Sequence, residues 1–212
     1  MSSDLPVPDP ALLDPLLQTW PPGAPIVRCH DSRFGATEFN PGLGRGRFHP
    51  FRTAEGNVVP TLYGASSLNG ALSETVFHEV PLRGPARTIL RLGLKPMLVS
   101  TVVAVRELTL AQLHGYGLRR LEVSRAELIE SDAAHYGDTV RWAQALHACD
   151  ERIDGLVWVS RQYDTAFALV LFGDRVVRKD LKVAEPPLPL YVGPGFDGVQ
   201  EAAEQAGITV LE

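Results

Sequence analysis

Apolar residues fall in short runs along this chain, and most runs are bounded by glycine, proline or charge. "GLVWVS" (155–160) and "FALVLFGD" (167–174) are continuous and rich in branched and aromatic side chains, which predicts buried strands parted by the polar turn "RQYDTA". "APIVRCH" (24–30) gives the same signal early in the chain, and "VVPTLYGASS" (58–67) resumes it. The period then changes. In "LNGALSETVFHEV" (68–80), Leu68, Ala71, Leu72, Thr75, Val76 and Glu79 follow i, i+3, i+4 spacing, so a helix is expected with Ser66 or Ser67 as N-cap. Glu74 lies next to that stripe.

Residues 86–105 read as two strands parted by Lys95-Pro96, the first half-buried through Thr88, Leu90, Leu92 and Leu94. "LTLAQLHGYG" (108–117) reads as a short helix capped at Thr109. Ser124 to Glu127 has capping-box spacing, and Asp138 is placed to cap a longer helix through "TVRWAQALHAC" (139–149). The tail, 197–212, reads as one more helix and a terminal strand. Residues 1 to about 22 are proline-rich, and their patch "ALLDPLLQTW" reads as one helical turn or an N-terminal arm. Between the first strands, residues 31–57 are rich in Gly, Pro, Asn and Arg without periodicity, the mark of a long and therefore functional loop.

Composition narrows the function. With 212 residues and 45% hydrophobic content the chain suits one domain with a real core, and no repeat or composition shift divides it. A net charge of −5 leaves no overall basic excess for a nucleic-acid backbone or an anionic membrane, so neither partner is expected and any anion must meet a local cluster. Cys29 and Cys149 form no metal-ligand spacing and are expected as free thiols. No signal-peptide pattern and no apolar run of about 18 residues is present, so a soluble, cytoplasmic protein is expected.

Familiar catalytic signatures fail on context. "GLGRG" neither follows a clear strand nor opens a helix, as a dinucleotide glycine motif must. Ser160 is outside any Gly-x-Ser-x-Gly elbow, His78-Glu79 is outside an HExxH helix, and Cys29-His30 is a lone pair that marks a strand end. What remains is a dispersed set at the ends of apolar elements: Arg28, Arg45, Arg47, Tyr63, Glu74 and Ser160. Arg28 is either an outward residue of a half-exposed strand or a buried cation that must be paired. Arg45 and Arg47 either solvate a loop or present paired donors to phosphate from a glycine-rich backbone. Tyr63, Glu74 and Ser160 each have an ordinary reading too, as strand-end filler, helix-face carboxylate and strand terminator.

Taken together, "GRGRFHP", "VVPTLYGASSLNGALSETVFHEVP" and "GLVWVSRQYDTAFALVLFGDR" resemble the RES-domain family of bacterial toxins over about residues 25–180. The Arg, Glu and Ser that name the family fall on Arg28, Glu74 and Ser160, and the family's loop arginine falls on Arg47. Many relatives carry tryptophan and asparagine after that arginine, where this chain has Phe48 and His49. The resemblance implies an α+β domain similar to the ADP-ribosyltransferase toxins, with mixed or antiparallel sheets and flanking helices. Residues 1–24 would then be an arm and 181–212 a C-terminal extension packing on the domain.

It also implies cleavage of the nicotinamide–ribose bond of NAD+, with inorganic phosphate or water as acceptor and no metal. Protein ADP-ribosylation is the alternative enzyme, and a non-catalytic partner of a helix-turn-helix repressor the alternative from another class. The partner implied is an Xre-type helix-turn-helix antitoxin, and the oligomeric state stays open, a homo-oligomer included. In this scheme Glu74 stabilises an oxocarbenium-like transition state and Tyr63 walls the nicotinamide. Arg28 and Arg47 neutralise pyrophosphate, with Arg45 adding to the field. Ser160 orients the ribose, and Phe48 keeps the loop's aromatic contact.

Overall fold

The computed structural model describes residues 5–212; residues 1–4, the start of the expected arm, lie outside the described residues. The strands are β1 (Leu17–Trp20), β2 (Pro25–Asp31), β3 (Thr61–Ala65), β4 (Thr88–Leu90), β5 (Met97–Ala104), β6 (Leu108–Gln112), β7 (Gly155–Val159), β8 (Phe167–Phe172), β9 (Leu181–Val183), β10 (Leu188–Pro189) and β11 (Thr209–Leu211). Helices α1 (Leu68–Ser73), α2 (Tyr116–Arg120), α3 (Arg125–Leu128), α4 (Tyr136–Cys149) and α5 (Gly193–Ala206) connect them. Among the described residues nine strands make one mixed sheet in the order β1-β6-β7-β8-β3-β2-β5-β10, with β9 also on β5. Only β6 and β7 run parallel in that sheet, while β4 and β11 form a separate parallel ribbon. The α+β reading of the sequence holds.

Strand alternation sorts the core. Along β8, Ala168, Val170 and Phe172 point into one cluster with Trp158, Phe48, Phe51 and the α4 residues Trp142 and Leu146. Leu169 and Leu171 point the opposite way, onto Ile26, Leu62, Val102 and Leu110. A third cluster joins Val27 and Ala65 to Leu72 of α1 and Phe196 and Val199 of α5. Val27 alternates with Ile26, and Tyr63 packs with the Trp158 cluster, so the first and third clusters share one face of the sheet. The buried residues of α1, α4 and α5 therefore all lie on that face.

β2 and β3 create the opening between the two clusters. They are in register at Val27 and Ala65 and part beyond it, toward Cys29 and Tyr63. Past the fork, β3 pairs instead with the long loop: Asn40 N donates to Thr61 O at 2.7 Å and Thr61 N to Asn40 O at 3.0 Å. The loop expected at 31–57 thus leaves β2, bridges to β3 and holds the fork open.

Several sequence expectations need correction. The helix expected over 68–80 stops at Ser73: Ser67 Oγ caps Gly70 N, Glu74 is the C-cap, and Thr75 N and Phe77 N both turn back to Leu72 O. Thr75 and Glu79 accordingly leave the apolar stripe and are exposed. The expected helix capped at Thr109 is strand β6, because β1 and β7 pair on both its sides and its alternation buries Leu108 and Leu110. The expected strand over Thr88–Leu94 ends at Leu90 in a tight turn, Arg91–Leu94. Asp138 is not the cap of α4; His135 is, and Asp138 pairs with Arg141 in the first turn at 2.9 Å. The Ser124–Glu127 capping box forms as expected.

The arm is strand, not helical turn, at Leu17–Trp20, and farther out Pro6 O accepts from Trp142 Nε1 at 2.9 Å. Residues 181–189 pair with β5 in two short strands, so the extension begins inside the sheet. Among the described residues no helix is long and apolar enough to cross a membrane.

Candidate active site

At the fork lies a cavity of about 270 Å³ lined by Arg28, Arg45, Arg47, Tyr63 and Glu74, with Cys29, His49, His78, Tyr136 and Trp158 among its other walls. Five of the residues singled out in the sequence therefore meet in one place, though 46 positions separate Arg28 from Glu74. Ser160 is fully buried against it and is joined to it through Glu74.

Glu74 owes its position to the early end of α1, which leaves the carboxylate at the helix terminus facing the end of β7. Ser160 Oγ donates to Glu74 Oε1 at 2.7 Å, and Arg161 N donates to the same oxygen at 3.1 Å. Oε2 accepts no hydrogen bond from the described residues. One oxygen is thus fixed by two donors and the other is free toward the cavity, an arrangement that orients a negative charge without neutralising it. No base stands near Ser160 in the sequence; the fold brings up a carboxylate that Ser160 supports.

The two buried arginines are held differently. Arg47, in the loop, donates through Nη1 to Ser131 Oγ at 2.8 Å and to Leu128 O at 3.4 Å, and its guanidinium lies 5.3 Å from the Tyr136 ring centroid. Thr139 Oγ1 binds its carbonyl. Burial lowers its pKa, while the nearby Tyr136 and Glu74 counteract that and Arg161 adds to it, so Arg47 stands in the field of Glu74. Arg28 donates to the carbonyls of Ala36 at 3.1 Å and Glu38 at 2.9 Å, tying the start of the long loop to β2. Its Nε is buried without a partner, and burial, partly offset by Glu38, lowers its pKa to about 10. Of the two readings open from the sequence, Arg28 is the buried cation, paired with backbone.

Tyr63 presents its ring to the cavity while its hydroxyl is occupied: Phe48 N donates to it at 3.0 Å, and it lies 3.2 Å from His49 Nδ1. Burial pushes the phenol well above its ordinary range and depresses His49, so a phenol O–H donating to a neutral imidazole is the consistent pairing. Phe48 does not reach the cavity; it is fully buried and packs edge-on against Trp158 at 5.1 Å between centroids. The aromatic contact expected of it is with the core. Arg45 is exposed at the rim and bonds to none of the described residues.

Gly46, between the two loop arginines, lies directly against the His49 ring, which a larger residue would have to displace. A Cβ there would sit 2.4 Å from Cε1 of the His49 ring. The "GRGR" pattern therefore lets His49 fold over the backbone, putting Arg45 on the rim and Arg47 inside. Cys29 is a wall residue whose thiol burial pushes up to about 12, which makes it a poor nucleophile. Sequence reading missed Tyr136, which carries no signal at the start of α4, and Arg161, whose only signal was adjacency to Ser160.

No curated protein matches the chain in sequence. The RES domain family model matches residues 25–191, and the chain belongs to that family. Among solved structures, the crystal structure of the M. tuberculosis MbcT–MbcA toxin–antitoxin complex is similar, with a TM-score of 0.54 and 16% identity over 84% of this chain and 88% of that one. The likeness is one of fold.

Proposed function

We propose that this chain is the toxin of a toxin–antitoxin pair and degrades NAD+ by breaking its nicotinamide–ribose bond, with inorganic phosphate preferred to water as acceptor. The observation that carries the reading is Glu74 at the cavity, one oxygen held by Ser160 Oγ and Arg161 N and the other unbonded. Cleavage of the N-glycosidic bond builds positive charge on the ribose, and a carboxylate fixed before the reaction stabilises that charge without reorganising. Nicotinamide departs neutral from a cationic ring, so the leaving group needs orientation and not a strong acid. Tyr63, Trp158 and Tyr136 supply aromatic wall for it.

Arg47 and the rim Arg45 provide cations for the pyrophosphate. Arg28 contributes through the loop it anchors. Ser160 acts as a positioning residue, because its hydroxyl is directed at Glu74. No metal enters this scheme. The partner is an antitoxin of the Xre-type helix-turn-helix class, a reading supported by the RES family membership and by the fold shared with a toxin crystallised with its antitoxin.

Incubation with NAD+ in phosphate and in phosphate-free buffer, followed by product mass, tests the reaction. ADP-ribose phosphate is expected in the first and ADP-ribose in the second. A protein band that gains ADP-ribose would instead establish protein modification, and intact NAD+ in both buffers would leave a binding module.

A further inference from the structure

We propose that Arg161 is the acceptor-binding residue of this site, receiving the incoming phosphate in a second cavity that adjoins the first beside Glu74; the inference rests on the NAD+-phosphorylase reading above. The second cavity, of about 350 Å³, is lined by His78, Glu79, Asp132, Tyr136, Arg161 and Gln162. It shares His78, Glu79 and Tyr136 with the first. A broader surface groove shares Arg161 and Gln162 with it, so Arg161 stands where solvent, acceptor space and reaction space meet.

The charges around the carboxylate lead to the same residue. A phosphate dianion approaching the ribose must come close to the Glu74 carboxylate, and that repulsion has to be offset by a cation within reach. Arg28 is bound to two carbonyls, and Arg47 is bound to Ser131 and Leu128 and stacked on Tyr136. Arg161 differs. Its backbone N–H is fixed to Glu74 Oε1, yet its exposed guanidinium has no hydrogen bond or ion pair with any described residue. The two carboxylates of the second cavity are already faced by imidazoles, Glu79 at 3.6 Å from His78 and Asp132 at 2.8 Å from His135. Gln162 Nε2 donates to His78 O at 2.9 Å and keeps the turn that carries Arg161 in place. The residue is thus anchored through its backbone at the carboxylate and free through its side chain at the acceptor's path.

The step balances without a base. An oxygen of hydrogen phosphate forms the new C–O bond to the ribose anomeric carbon as the C–N bond breaks, its electron pair leaves with nicotinamide, and the proton stays on the phosphate. Water as acceptor must also lose a proton, to Glu74 or to solvent.

The test is a product ratio. With the full chain, NAD+ and a fixed, subsaturating phosphate concentration, ADP-ribose phosphate is measured against ADP-ribose for the wild type, Arg161→Gln and Arg161→Lys. Loss of one charged contact to phosphate should lower the ratio about tenfold or more in Arg161→Gln. Arg161→Lys should restore part of it. An unchanged ratio overturns the inference, and so does loss of both products together, which would place Arg161 in NAD+ binding or in support of Glu74. If the wild type makes no ADP-ribose phosphate, the phosphorylase reading itself falls, and the two failures are thereby told apart.

Discussion

Arg28 and Arg47 are both buried arginines at the same cavity, yet they do different work. Arg28 has its bonds to backbone carbonyls of the loop that follows its own strand, whereas Arg47 reaches across from the long loop to Ser131 and Leu128 and shares the field of Glu74. Burial of a cation against carbonyls fixes a loop; burial near a carboxylate shapes a site. The residue that gives the family its first letter is mainly a support of the loop, and under the proposed function Arg47, which follows Gly46, belongs to the chemistry.

The strongest probe of that difference is Glu74, whose charge is among those acting on Arg47 and not among those acting on Arg28. Glu74→Gln keeps the size of the side chain and an acceptor for Ser160, and it should lower NAD+ consumption about 10³-fold with an unchanged melting temperature. Retained activity would remove the chemical half of the comparison. Next come the arginines themselves. Arg47→Met should lower kcat/KM about 10²-fold with a modest loss of stability. Arg28→Met leaves two carbonyls without their charged donor and should cost about 3 kcal/mol, read from the denaturant midpoint. If the stability cost falls on Arg47 and the activity loss on Arg28, the assignment is reversed.

A smaller effect is expected from Ser160→Ala, which frees one of the two bonds on Glu74 Oε1; turnover should fall about tenfold while the KM for NAD+ changes little. An equal rise in KM would make Ser160 a direct ribose ligand and not a support.

The least effect concerns pH. Burial holds His49 below its ordinary 6.5, so the unfolded chain takes up a proton that the folded one resists. The stability His49 contributes is present above pH 6.5 and is lost as pH falls. Between pH 7 and 5 the wild type should lose more stability than His49→Gln, read from the denaturant midpoint at each pH. Equal slopes would show that the Tyr63–His49 pairing leaves the loop's stability unaffected.

The site was largely legible because its residue types are costly where they stand. An arginine inside "APIVRCH", a carboxylate beside an apolar helical stripe and a serine ending "GLVWV" each demand a partner, and together they matched a family. Their partners were not legible: Arg28 with Ala36 and Glu38 carbonyls, Arg47 with Ser131, and Ser160 with Glu74 are separated by 8 to 86 positions. Phe48 shows the limit from the other side, since an aromatic in a polar loop looked like a site wall and is core.

By itself the sequence determined the strands around the cavity, the terminal helix and strand, the capping box at Ser124 and the family. These depend on local periodicity and residue type, which act over a few positions. Tertiary structure alone decided that "LTLAQ" is a strand, since β1 and β7 take up its backbone groups, and that α1 ends at Ser73 so that Glu74 faces Ser160. It alone placed the cavity, where β2 and β3 part and Asn40 holds them apart. Such outcomes depend on which distant segments compete for the same hydrogen bonds and buried surface, and no window of the sequence contains both competitors.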